Sequence, residues 1–258
     1  MIHRATEQIH SARLSGPKDV VFGLSGNPPT LSHLRFIQHL LSQFDTVHVI
    51  LNAQSPLKSA SHYVSSEIRF QMLQHMLKAE GIDFNRCKLD RTEIDREAPS
   101  YMVVTLCTLI LKSKTPQKMS LALGLDGLKS FTQWHRWRDI APLSNLRFYP
   151  RPGIHLSMDE LKSALQPLLN NAFHVVLVAQ SNDQKIIYDH VCACFNNTQS
   201  LSCVEESLFT FEGSATEVRD YYRLIKKNNN QIHPHVHPIV DAIIRKQGLY
   251  GYLRGDLD

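Results

Sequence analysis

Strand-sized apolar runs alternate with segments of helical spacing along most of this chain. No other feature limits its fold so tightly. Val20-Val21-Phe22-Gly23-Leu24 is the first run, and it closes in a cluster of turn formers, Ser25-Gly26-Asn27-Pro28-Pro29. Leu31, Leu34, Ile37 and Leu41 follow at helical spacing. Thr46-Val47-His48-Val49-Ile50-Leu51 reads as a buried strand, and 65–79 as a helix with Ile68, Met72, Leu73, Met76 and Leu77 on one face. The pattern predicts a strand over 84–90, an apolar helix over 100–112, and strands over 119–124 and 146–149. Strand and helix in strict turn require crossover connections, which are right-handed and put parallel strands between two helical layers. The expected fold is therefore a doubly wound, Rossmann-like α/β sheet, with ligands at the carboxyl ends of its strands.

The remaining segments are less regular. Residues 1–18 are polar and weakly patterned, and read as a loosely docked extension. Within 154–206, His174-Val175-Val176-Leu177-Val178 reads as a strand, whereas 183–195 fits helix or strand. Ser207-Leu208-Phe209-Thr210-Phe211 reads as a further strand, followed by a helix from 214 and a last one near 236–247. No linker or repeat divides the chain, so 19–258 is expected to form one domain, with 214–258 as a C-terminal helical part.

Charge and cysteine usage exclude several functions. The 28 basic against 24 acidic side chains are dispersed, which suits a small polyanionic ligand and not nucleic acid, whose partners carry a basic stripe. No run approaches the ~20 apolar residues that cross a bilayer, and the N-terminus lacks an apolar secretory core, so no membrane partner is expected. Five cysteines without a C-x-x-C pair indicate neither a disulfide framework nor a zinc ribbon, and a reducing cytoplasm fits best. The alternating His233, His235 and His237 lack carboxylate or thiolate partners at matching spacing, so no metal site is assigned there.

The turn after the first strand is the first candidate site. Thr30 and His33 lie three residues apart at a helix start, on one face of its first turn. Helix N–H groups and the positive dipole end favour phosphate there, and a His in that place can donate to a phosphate oxygen. The plainer reading makes Thr30 a helix cap and His33 a surface residue. Asp126 falls just past a strand end, where a carboxylate can accept from ribose hydroxyls. Ser214-Ala215-Thr216-Glu217 is a capping box, and one turn on Arg219 supplies a forked cation. Trp134 and Trp137, three apart, are by default core packing.

These motifs occur together, and in order, in a known family. The run Gly23, Ser25, Asn27, Pro28, Thr30, His33 and Leu34 resembles the opening motif of the nicotinate/nicotinamide mononucleotide adenylyltransferases, nucleotidyltransferases with a (T/H)-x-x-H signature. Further segments match in the same order. They are Pro56-Leu57-Lys58, Arg69 through Leu73, Glu93 and Arg96 with Pro99-Ser100-Tyr101 and Thr105-Leu106, and Gly124-Leu125-Asp126 with both Trp. Arg151-Pro152-Gly153, Ser214 through Arg219 and Gly248-Leu249-Tyr250 complete the set. The resemblance runs over 20–153 and 207–251 and is thin across 154–206, which reads as insertion-like. Three departures stand out: Gly26 for the family's Phe, expected to loosen the turn; Ala215 for a hydroxyl residue; and Pro29, which removes an N–H.

The resemblance implies adenylyl transfer from ATP, with Mg²⁺, to nicotinate or nicotinamide mononucleotide, in NAD biosynthesis. On that basis His33, Arg219 and Lys58 are the catalytic candidates. Ser25, Gly26, Thr30, His33, Gly124, Asp126, Ser214, Thr216 and Arg219 would bind ATP. Asn27, Tyr101, Thr105, Trp134 and Arg151 would bind the mononucleotide. A homodimer is compatible with the resemblance. The competing readings are a different phosphate acceptor, or a nucleotide-binding regulator without turnover.

Overall fold

The computed structural model describes residues 1–11, 18–53, 64–96, 99–114, 116–151, 153–195, 200–206, 213–225 and 230–252. Seven strands form one sheet: β1 (Asp19–Leu24), β2 (Thr46–Leu51), β3 (Cys87–Asp90), β4 (Met119–Gly124), β5 (Ser144–Tyr149), β6 (Val175–Ala179) and β7 (Leu201–Glu205). Their order is β3-β2-β1-β4-β5-β6-β7, and every neighbouring pair is parallel. Nine α-helices surround the sheet among the described residues. They are α1 (Ile2–Ser11), α2 (Leu31–Gln43), α3 (Ser66–Ala79), α4 (Met102–Lys112), α5 (Asp126–Ser130), α6 (Met158–Leu169), α7 (Asn182–Cys194), α8 (Ala215–Leu224) and α9 (Pro238–Gln247).

The period-two geometry of strands sorts the core into two layers. Val20, Phe22 and Leu24 of β1 and Val47, Val49 and Leu51 of β2 pack with α2, α3, α8 and α9. Val21 and Ile50 point the other way, into a layer built from α1, α4, α5, α6 and α7. The chain therefore winds to one side from β1 through β3, crosses back through α4 to β4, and winds to the other side. That reversal falls between β1 and β4, where the carboxyl ends of two adjacent strands open a crevice.

Two segments differ from the sequence expectation. Ile2–Ser11 is a helix, not a loose extension: Ala5 and Ile9 are buried against the α4 layer. Its apolar stripe is well defined but set among many polar residues, so the segment's mean hydropathy is low and it reads as polar. Residues 154–206 are two further strand–helix units, α6-β6 and α7-β7, which extend the same sheet to its edge. The segment 183–195 resolves as helix, started by Ser181, whose hydroxyl accepts from the Gln184 N–H at 3.3 Å. The strand expected over 207–211 lies outside the described residues.

Candidate active site

The site is built on the turn from β1 into α2. Gly26 holds φ +52°, a left-handed conformation that suits glycine, and a Cβ there would come within 3.2 Å of Leu51 Cδ1. The turn is not loosened by this glycine, as the sequence suggested, because side chains from distant elements grip it. Arg69 of α3, only 1% exposed, donates to the carbonyls of Ser25, Asn52 (2.9 Å), Ala53 (3.0 Å) and Val64 (2.8 Å). Arg219 of α8 donates through Nη1 to the Asn27 carbonyl at 2.7 Å, a link across 192 residues of sequence. The Tyr250 hydroxyl donates to Asn27 Oδ1 at 3.1 Å, and the Val64 N–H donates to the same oxygen at 3.3 Å.

At the start of α2, Thr30 is the N-cap and is buried. Its backbone N–H donates to His33 Nδ1 at 3.0 Å, and its hydroxyl lies 2.8 Å from the same nitrogen. A nitrogen that accepts from an amide carries no proton, so the network assigns the neutral ring's proton to Nε2. Burial of the imidazole, aided by the positive charge of Arg151, pushes the His33 pKa down to about 4. At neutral pH His33 is therefore an uncharged donor. The open cradle of helix N–H groups expected from sequence is only partly realised. The Leu31 N–H donates to the His235 carbonyl at 3.0 Å, and the His33 N–H bonds back to the Thr30 carbonyl at 3.1 Å. Two of the first helical N–H groups are thus already engaged within the chain.

Across the crevice, β4 ends at Gly124. A Cβ at this position would meet Asp126 Oδ1 at 2.3 Å and Arg151 Cδ at 2.5 Å. Glycine is what lets those two side chains close over the strand end, where Arg151 Nη1 lies 2.9 Å from Asp126 Oδ2. Both partners are nearly half exposed, so the pair is weakly held and its groups can turn to a ligand at small cost. Arg151 stands near enough to His33 for its charge to help lower that pKa.

The α8 residues divide between structure and site. Ser214 and Glu217 form the capping box read from sequence, with the Ser214 N–H donating to Glu217 Oε2 at 2.7 Å and the Glu217 N–H to Ser214 Oγ at 3.2 Å. Thr216 Oγ1 accepts from Arg219 Nη2 at 2.9 Å. Arg219 is thus oriented by its own helix and by the Asn27 carbonyl, and these bonds use two of a guanidinium's five N–H groups.

The expected mononucleotide residues fare differently. Thr105 is fully buried, and its hydroxyl donates to Glu93 Oε1 at 2.7 Å, the helix-packing alternative. Tyr101, at the N-terminus of α4, stacks on the exposed His135 ring at 4.1 Å and 27°. Trp134 is half-buried and leans on Phe131 at 5.0 Å, whereas Trp137 is buried and lies parallel to Phe173 at 6.0 Å. The two tryptophans have therefore parted roles, the second in the core and the first partly open. Lys58 lies outside the described residues.

Sequence reasoning missed the carbonyl clamp of Arg69, the His235 carbonyl, His135, and the Tyr250 hydroxyl. Among the described residues no three His, Cys, Asp or Glu cluster to hold a metal ion. His237 instead caps α9, accepting from the Ile239 N–H at 3.1 Å, and faces Glu80 at 3.1 Å. No helix among the described residues is long and apolar enough to cross a membrane.

Comparison with known proteins agrees with this architecture. The cytidylyltransferase-like family model matches residues 22–221. A probable nicotinate-nucleotide adenylyltransferase of Legionella pneumophila strain Corby is 28% identical over 233 residues, covering 89% of this chain and 97% of that protein. One from Dechloromonas aromatica is 29% identical over 147 residues, covering 56% of this chain and 65% of that protein. In fold, the chain is similar to the Plasmodium falciparum nicotinic acid mononucleotide adenylyltransferase complexed with NaAD, at a TM-score of 0.61 and 15% identity, over 92% of this chain and 98% of that one. With a family model spanning most of its length, the chain belongs to the cytidylyltransferase-like family and is a nucleotidyltransferase.

Proposed function

We propose that this chain transfers the adenylyl group of ATP to nicotinate mononucleotide, releasing pyrophosphate, and so serves NAD biosynthesis. The observation that carries the reading is the gathering of an uncharged His33 donor and the Arg151 and Arg219 guanidiniums around one turn at the β1–β4 crevice. In the reaction a 5′-phosphate oxygen bonds to the α-phosphorus of ATP. The bridge to the β-phosphate breaks, and pyrophosphate leaves with the electron pair. A phosphate monoester is already anionic near neutral pH, so no base is needed and catalysis rests on positioning and charge stabilisation. His33 would donate to a phosphate oxygen through Nε2–H. Arg219 and Arg151 would take the charge spreading over the phosphates, with Lys58 a further cation. Asp126, released from Arg151, would accept from a ribose hydroxyl, and the partly open Trp134 with Tyr101 would flank the pyridine ring.

Mg²⁺ entering with ATP would neutralise the triphosphate and ease departure of pyrophosphate. Such an ion is held mainly by phosphate oxygens and water, and Asp126 is the crevice carboxylate that could join them. Nicotinate mononucleotide is preferred to its amide as acceptor because the curated relatives are named for it. The cysteines in the structure are all free thiols, which suits a reducing cytoplasm.

The test is pyrophosphate release from ATP and Mg²⁺, with nicotinate mononucleotide and nicotinamide mononucleotide supplied separately. Release with the first at the higher kcat/KM is the expected result. Release with the second alone would change the acceptor. Silence with both, from folded protein that binds ATP, would overturn the reading in favour of another acceptor or a regulator.

A further inference from the structure

The turn that follows α9 presents a left-handed residue that is not glycine. Gly248 (φ 64°), Tyr250 (φ 59°) and Gly251 (φ 82°) all take positive φ within four residues. Two are glycine, as the backbone favours, and the third is tyrosine, a bulky residue for which this conformation is an outlier. An outlier of this kind persists only where the surroundings over-determine it, and it clusters at functional sites. The Tyr250 hydroxyl reaches 223 residues back along the chain to Asn27 Oδ1. That hydroxyl lies close enough to the guanidiniums of Arg69 and Arg219 to feel both charges.

Asn27 is a junction. Its side-chain oxygen accepts from Tyr250 and from the Val64 N–H, while its backbone carbonyl accepts from Arg219. Acceptance from a backbone N–H fixes which edge of the amide carries oxygen, so the Tyr250 hydroxyl is the donor to it. The turn that Asn27 belongs to leads directly into Thr30 and His33.

We infer that Tyr250 is a positioning residue for phosphoryl chemistry at this site: its hydroxyl holds the Asn27 amide, and through it the 25–30 turn, where His33 and Arg219 serve the same phosphates. The inference rests on the proposed adenylyl transfer. It touches no substrate itself. Its part is to keep the turn from relaxing, because a displacement of about 1 Å at reacting groups can lower the rate ~100-fold.

Tyr250→Phe removes one oxygen and keeps the ring. In the full-length protein kcat, KM for ATP, KM for nicotinate mononucleotide, and Tm would be measured for wild type, Tyr250→Phe, Asn27→Ala and the double variant. The expected result is a kcat about tenfold lower for Tyr250→Phe, with ATP KM within threefold and Tm nearly unchanged. The double variant should lose no more than Asn27→Ala alone, because both changes break one linkage. A kcat within twofold of wild type, losses that multiply in the double variant, or a loss that disappears on cooling well below Tm would each overturn the inference. A wild-type protein without transferase activity would instead overturn the proposed function, and this inference with it. Should Tyr250→Phe fail to fold, Tyr250→His, better suited to a left-handed backbone but too short to reach Asn27, takes its place with the same expectations.

Discussion

Holding His33 neutral has a measurable price in acid. In the unfolded chain an imidazole titrates near 6.5, whereas in the folded protein burial and Arg151 bring His33 down to about 4. The folded state therefore binds fewer protons than the unfolded state between these values, and stability falls as pH falls through that window. Above pH 6.5 the contribution is fully present, and below pH 4 no further loss occurs. Working the linkage for these two pKa values gives a loss of about 2 to 2.5 kcal/mol between pH 7 and pH 4.5. Other groups titrate in the same range, so the quantity to measure is the difference between wild type and His33→Gln in urea unfolding at the two pH values. Wild type should lose about 2 kcal/mol more than the variant. An NMR titration of the His33 ring should show no midpoint between pH 5.5 and 7.5. Stability is a cleaner readout than rate, because the acceptor's own phosphate ionises near pH 6. Equal pH dependence in both proteins, or a ring midpoint near 6.5, would refute the assignment of a neutral donor.

Three other perturbations separate chemistry from scaffold. His33→Ala should lower kcat about 100- to 1000-fold while leaving ATP KM within a few-fold, since its bond strengthens as charge develops; a raised KM with kcat intact would remove it from the reaction. Gly124→Ala should fold, because the clashing Asp126 carboxylate and Arg151 stem belong to half-exposed side chains that can swing aside, yet raise KM for at least one substrate about tenfold; unchanged kinetics would show that their closure over the strand end is irrelevant. Arg69→Met leaves the carbonyls of Ser25, Asn52, Ala53 and Val64 without their donor and should cost about 3 to 5 kcal/mol in urea unfolding; a loss below 1 kcal/mol would mean water replaces the clamp.

How legible the molecule is from sequence depends on whether the cause is local. The β1 and β2 strands and the α2, α3 and α4 helices announce themselves, because each carries enough apolar residues at its own period. The α7 helix does not: Ile186 and Ile187 are exposed while Tyr188, Val191 and Cys192 are buried, which blurs the stripe. The α6 helix carries Pro167 in its last turn, a residue that usually signals a break, and β7 at the sheet edge mixes polar with apolar residues. The site divides in the same way. The Thr30 cap and its contact with His33 are visible because both follow from a spacing of three at a helix start. Thr105 has the composition of a site residue, but only the fold reveals that its hydroxyl serves Glu93. The Arg69 clamp and the His235 carbonyl were invisible because backbone carbonyls leave no signature in sequence.

The same division explains why the turn after β1 needs so many grips. A reaction without a general base draws its acceleration from where its donors stand, so errors of position translate directly into rate. A six-residue turn containing a left-handed glycine has little stiffness of its own. Arg69 supplies it from α3, Arg219 from α8, His235 from the segment before α9, and Tyr250 from the turn after α9. Those anchors come from separate parts of the chain, so the turn takes its shape only when the sheet, α8 and the C-terminal segment are all in place. In the proposed reaction Arg219 would have two tasks, since one guanidinium orients the turn and has N–H groups left for phosphate. A lysine at position 219 would keep the charge but lose the fork, and with it the means to do both at once. Activity in Arg219→Lys should therefore fall even where ATP still binds, and the loss should exceed that of Tyr250→Phe. Equal losses in the two variants would mean that Arg219 serves the turn alone and leaves the phosphates to His33 and Arg151.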